Sequence, residues 1–298
     1  MYDHLRIHSP WKQLLVAALV FFPQTILLLM GMADAGNTDS QKTIEQIPIN
    51  VQKWLQASSS LLFFLLPAFL FAVFVFRGRY FYFLGFKKAN KQNMYVLALC
   101  CVLFTFPLVF WLGEINRNIP MPDWMTKMEL STGKQMEDFL KVRNWYDVPV
   151  NIFIIALLPA ICEELFFRGA LQRALIYVTK SPWAGIIIAS ILFSALHLQF
   201  AGFLPRMFLG IVLGIIYWYS GSLWTCIIGH FIFNAAQVLW VSYAPEYINT
   251  PPSLPLLVSI VSAIAVGTIL YFYRQQSTIT WSKVYEPDAL NPHNQFLA

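Results

Sequence analysis

The chain has 298 residues, 58% of them hydrophobic and only 12% charged, with a formal net charge of +5. Water-soluble domains carry roughly a quarter charged residues, and here the apolar residues gather into runs near the ~20 residues that cross a bilayer. These features exclude a soluble domain. They also exclude nucleic-acid binding, because the basic residues flank apolar runs and form no basic face interleaved with exposed aromatics.

With so many apolar runs, the fold class is an all-α polytopic membrane bundle. Eight spans are predicted, at about 12–32, 57–77, 93–113, 148–178, 183–199, 203–220, 223–243 and 254–273. After the first run, Ala33-Asp34-Ala35 resembles a signal cleavage site, but the run is longer than a signal h-region, so a retained helix is expected. The loop 77–91 holds Arg77, Arg79, Lys87, Lys88 and Lys91 and no acid, the strongest positive-inside signal in the chain. It places both termini in the cytoplasm of a bacterial cytoplasmic (inner) membrane protein. The 114–147 loop is mixed in sign and predicts an interfacial helix with Trp124, Met128 and Phe139 on its apolar stripe. The fourth span exceeds what a bilayer needs and must tilt, kink or project. Pro159 within it leaves the Ile155 carbonyl without its usual partner and bends the chain one turn before Glu163. By itself this reads as an ordinary transmembrane kink. The tail 275–298, with Pro287 and Pro292, is polar. Three regions result: 1–147 with the first membrane helices and loops, 148–243 with a four-span core, and 244–298 with the last span and tail. Cys100, Cys101, Cys162 and Cys226 lie in apolar runs without a CxxC, which predicts neither disulfide nor structural zinc.

Ionisable groups inside spans are costly and mark function. Those singled out are Glu163, Glu164, Arg168, His197, His230 and, as a polar companion, Asn234. Glu164 and Arg168 share a helix face at four-residue spacing and form a predicted supporting ion pair. Glu163 lies ~100° round the helix with no sequence-local cation. Glu163 and His197 are equally distant from residue 180, so an antiparallel hairpin sets them at one depth, and His230 and Asn234 fall near the middle of the seventh span. A carboxylate beside a histidine in a wet intramembrane pocket can activate water, and His230 with the Asn234 amide can stabilise an oxyanion.

Glu163-Glu164-x-x-x-Arg168, Phe193-x-x-x-His197 and His230-x-x-x-Asn234, in this order on three spans, resemble the three-motif signature of the CAAX protease and bacteriocin-processing family. The resemblance covers residues ~148–240. It implies an eight-helix intramembrane protease in which Glu163 and His197 activate water, His230 and Asn234 form the oxyanion hole, and Glu164 and Arg168 support the site. It also implies a peptide or membrane-protein substrate. Members of this family are often described as metalloproteases. With no HExxH in the chain, no metal cofactor is favoured; His197, His230 and Glu163 would be the ligands if a divalent ion such as zinc were held.

Each residue also has a plainer role: Glu163 a second partner for Arg168, His197 a packed histidine, Asn234 interhelical glue. Cys162 beside Glu163 suggests a thiol nucleophile, but it lies off the Glu163 stripe in apolar surroundings. The rival functions are a non-catalytic membrane regulator or bacteriocin-immunity-type binding protein that keeps the motifs, and a proton- or ion-coupled transporter, which the lack of an inverted repeat disfavours. Positive-inside counting puts the 200–203 turn outside the cell, whereas the family resemblance implies a cytosolic aperture.

Overall fold

The computed structural model describes residues 5–34, 47–247 and 253–279. Ten helices stand among them: α1 Pro10–Asp34, α2 Ile49–Val75, α3 Tyr80–Leu84, α4 Asn93–Arg117, α5 Asp123–Leu140, α6 Asp147–Thr179, α7 Pro182–Ala195, α8 Phe203–Ser220, α9 Leu223–Tyr243 and α10 Leu256–Gln276. Six of the runs are long and apolar enough to cross a membrane, α2, α4, α6, α9, α10 and the stretch Phe200–Ser220 that contains α8. The apolar parts of α1 and α7 are shorter, at Pro10–Pro23 and Pro182–Ala195. The chain is thus a polytopic helical bundle, with a helix at each of the eight expected positions. The candidate cleavage site at 33–35 and the tail beyond 279 lie outside the residues whose side chains are described.

Two ends of the bundle can be told apart by what ties them. At one end Leu5 pairs with Phe76, Asn90 donates to the Thr278 hydroxyl at 2.9 Å, and the Leu223 N–H donates to the Gly85 carbonyl at 2.8 Å. The 77–91 loop, the 180 turn and the tight Ser220-Gly221 turn gather there. Gly221 carries φ +61, a left-handed conformation that costs a glycine little. The other end holds the α5 helix and the 196–202 turn.

Helix α6 crosses the middle of the bundle and is its most buried span. It runs unbroken, but its turns widen to π spacing at Ile152–Leu157 and Leu165–Gln172, on either side of Pro159. The missing proline N–H displaces the hydrogen-bond ladder, and a widened turn is one way to absorb that without a break. Helix α8 packs against α6 and α7 through Gly210-x-x-x-Gly214. Without side chains there, the two glycine carbonyls come within reach of α6: Arg168 donates to Gly210 O at 3.2 Å and the Gln172 amide to Gly214 O at 3.1 Å. A Cβ on Gly214 would lie 2.8 Å from Gln172 Oε1 and 2.9 Å from Ile186, so the close approach requires glycine.

Candidate active site

Glu163 and Glu164 lie in the segment of α6 between the two widened turns and are 7% and 0% exposed. Their neighbours differ. Glu164 faces Arg168 at 3.2 Å and the His230 ring at 2.8 Å. The Arg168 N–H does not point at the carboxylate, so that pair is chiefly coulombic, while the His230 contact is a hydrogen bond. Glu163 points instead toward two imidazoles. Its Oε2 lies 3.8 Å from His197 Nε2 and 3.9 Å from His230 Nε2.

The hydrogen bonds fix which ring nitrogens are available. His197 Nδ1 lies 2.7 Å from the Phe193 carbonyl, which can only accept, so Nδ1 carries the hydrogen. His230 Nδ1 likewise donates to the Glu164 carboxylate. In their neutral forms both rings therefore turn an Nε2 lone pair toward Glu163. At 3.8 and 3.9 Å these contacts are too long for direct hydrogen bonds, and a shared water has room to reach both partners. The Glu164 contact also means that Glu164 is more than half of a structural ion pair, because it sets the tautomer of His230.

Phe193 organises the cluster. Its ring meets His197 edge-on at 5.0 Å and His230 at 5.7 Å, and the Arg168 guanidinium lies 4.9 Å above it. Asn234 sits one turn beyond His230 on α9 and lines the same space. That space is a cavity of about 930 Å³ bounded by α2, α4, α5, α6, α7, α8 and α9. Phe63, Phe64, Phe106 and Phe110 supply apolar wall, while Arg117, Glu129 and Gln135 line its outer part.

Arg206 is a site residue that sequence reasoning missed. It opens α8, lines the cavity, and is close enough to interact with the charges of Glu163 and Glu129. Its guanidinium donates to Gln199 Oε1 at 2.7 Å, Gln199 O at 3.2 Å and Ser194 O at 3.4 Å. These carbonyls bracket His197. The backbone turns sharply there, with Leu198 at φ +55, a left-handed conformation that costs a branched residue roughly 1–2 kcal/mol. Other side chains hold the same turn. Asn116 donates to Phe200 O at 2.6 Å and accepts from Leu204 N at 2.7 Å; Glu129 accepts from Ala201 N at 2.9 Å; Ser194 donates to Phe203 O at 2.7 Å. A basic residue inside an apolar run was the signal available for Arg206, by the rule that marked Arg168.

Cys162 is buried beside Glu163 and does not line the cavity. Among the described residues no group of three or more His, Cys, Asp or Glu is placed to hold a metal ion. Helix α5 occupies the expected interfacial segment, with Trp124 edge-on to Phe200 at 5.5 Å and Phe139 buried.

Residues 145–236 match the family model described as Rce1-like, type II CAAX prenyl endopeptidase. The motif resemblance and the family match therefore fall on the same part of the chain. A curated relative, an uncharacterized protein named YpbD from Bacillus subtilis (strain 168), is 32% identical over 89 residues, 28% of this chain and 42% of that protein. The chain thus spans less than half the length of the curated relative it matches. No solved structure gives a significant match.

Proposed function

We propose that this membrane protein, whose core matches a family of endopeptidases, is itself an intramembrane endopeptidase that hydrolyses a peptide bond with carboxylate-activated water. The observation that carries this reading is the Glu163 carboxylate, 3.8 and 3.9 Å from two imidazole nitrogens whose lone pairs face it, inside a cavity of about 930 Å³. A water donating one hydrogen to Glu163 and the other to His197 Nε2 is oriented and polarised by both. As it attacks the peptide carbonyl carbon, its proton passes to Glu163 and the carbonyl oxygen becomes an oxyanion. The Asn234 amide is the neutral donor available for that charge. His230 Nε2 becomes a second donor only when it too carries a hydrogen, while the Glu164 carboxylate holds the ring through Nδ1. When the C–N bond breaks, the proton held by Glu163 moves to the leaving amine, which leaves a carboxylate and a free amine.

Glu163, His197, His230 and Asn234 are the catalytic residues on this reading, and Glu164, Arg168, Arg206 and Phe193 position them. Were a divalent ion held here, His197, His230 and Glu163 are the side chains that would hold it, and it would polarise water in the same place. The test is purified protein incubated with a complex peptide mixture in ¹⁸O-labelled water. Wild type should produce new peptide C-termini carrying one ¹⁸O, and Glu163→Gln should produce none. Equal cleavage by the two would refute the assignment.

A further inference from the structure

We infer that Asn116, near the end of α4, is a positioning residue that sets the His197 ring beside Glu163 by clamping the start of α8. That His197 acts in hydrolysis rests on the peptidase proposal above; its placement by Asn116 does not. Asn116 lies outside both the three motifs and the matched residues 145–236.

His197 does not stand on a helix. The α7 helix ends at Ala195 and α8 begins at Phe203, so the ring hangs from the connection between them. On one side the ring is tied by Nδ1 to the Phe193 carbonyl at 2.7 Å. On the other side the backbone passes through Leu198 at φ +55, a conformation that persists in a branched residue only where its surroundings enforce it. The connection's own bonds are local: Leu198 N donates to Ala195 O at 3.1 Å and Gly202 N to Gln199 O at 3.3 Å. Its longer-range fixed points come from neighbouring helices.

Helix α8 also starts without a cap of its own. Its N-cap residue is Gly202, which has no side chain to accept from the first free N–H groups. Asn116 does so from α4. Its Oδ1 accepts from Leu204 N at 2.7 Å, and its Nδ2 donates to the Phe200 carbonyl at 2.6 Å. One amide thus joins the 3₁₀ turn Phe200–Gly202 to the first turn of α8. Asn116 is only 4% exposed, so water does not take over either bond when the amide is removed. Ser194 and Glu129 add single bonds, to Phe203 O and from Ala201 N, and each holds one point. Asn116 holds two points, four residues apart, in fixed relation. The 3.8 Å between Glu163 Oε2 and His197 Nε2 leaves the width of one bridging water, so a displacement of ~1 Å in this connection disrupts the bridge.

Histidine NMR reads the placement without any turnover. The full chain has five histidines, so ¹³C at histidine Cε1 gives few signals, and those of His197 and His230 are assigned by their loss in His197→Ala and His230→Ala. Asn116→Ala should move or broaden the His197 signal and leave the His230 signal in place. An unmoved His197 signal, or equal displacement of both, would overturn the inference. Asn116→Asp is the second variant if the first folds poorly. It keeps an acceptor for Leu204 N but turns an oxygen on the Phe200 carbonyl, and the same selective change is expected. In the cleavage assay Asn116→Ala should lower kcat at least ~10-fold and leave KM within about twofold, since it misplaces a reacting group rather than a binding surface. Added to His197→Ala, it should cost nothing further, because its effect passes through that ring. Losses that multiply across the two substitutions would show a general structural defect and overturn the inference. A wild type inert toward every peptide, with the selective His197 response intact, would sink the peptidase proposal alone.

Discussion

The adjacent carboxylates Glu163 and Glu164 should respond to substitution in opposite ways. Glu164 is fully buried, 3.2 Å from Arg168 and 2.8 Å from His230 Nδ1. Glu164→Ala strands a guanidinium that is itself 1% exposed. Removing one member of a buried ion pair typically costs ~3–5 kcal/mol, because the surviving charge keeps its desolvation penalty and loses its partner. Against a total stability of roughly 5–15 kcal/mol, that is a large share. At ~1.4 kcal/mol per tenfold, it lowers the folded-to-unfolded ratio by about two to three and a half powers of ten. Glu163 has no ionic contact closer than 3.8 Å and faces a cavity, so Glu163→Gln keeps its shape and strands no directly paired cation; its cost should be ~1 kcal/mol or less. Thermal melts in detergent, run beside peptide cleavage, separate the two. Glu163→Gln should melt close to wild type and lose on the order of 10²–10⁴-fold in turnover. Glu164→Ala should fall on the order of 10 °C in melting temperature and accumulate poorly in membranes. A stable, inactive Glu164→Ala together with an unfolded Glu163→Gln would show that the two roles have been assigned the wrong way round.

Arg206→Ala should lower kcat by at least tenfold with little change in melting temperature, since it frees the turn that carries His197; Arg206→Lys, which cannot reproduce the forked contact to Gln199, should recover only part of it in the same cleavage assay. Gly214→Ala should destabilise by ~1–3 kcal/mol in detergent melts, because the added methyl must displace the Gln172 amide or Ile186. Lys87, in the 76–92 connection, is pushed down to about 7 by burial and by the nearby Arg173 charge. The unfolded chain, with an ordinary lysine, then binds more protons between pH 7 and 10, so stability rises with pH across that window. The melting temperature should climb from pH 7 to pH 9, and Lys87→Met should flatten that climb.

Much of the bundle was legible because a bilayer leaves a chain few options: any stretch that crosses must satisfy its own backbone, and near-continuous apolar runs announce where it does so. The common depth of Glu163 and His197 was legible for a related reason, since a short turn near residue 180 forces the two helices into antiparallel register. Contacts that depend on how helices rotate about their axes were not. Nothing in the local spacing says that Glu164 will meet His230 as well as Arg168, because that contact joins α6 to α9 across 66 residues. Arg206 was missed for a different reason. It stands at the start of its span, where a basic residue ordinarily marks the membrane boundary. Only the bent 196–202 turn carries it back under His197.

The motif-bearing stretch of the chain does not complete the site by itself. The three motifs and the family match fall between residues 145 and 236. The turn that presents His197 is nevertheless held by Asn116 of α4 and Glu129 of α5, and α2 and α4 supply much of the cavity wall. Rotating or shifting α4 would remove both Asn116 contacts together, and with them two of the bonds that hold a strained backbone next to His197. Glu129 ties that same turn to α5 at the cavity rim, so movement of α5 to admit an occupant must either break the Ala201 contact or carry the turn along. Helices outside the motifs therefore determine whether the motif residues meet, and any exchange of an occupant through the rim is mechanically linked to the placement of His197.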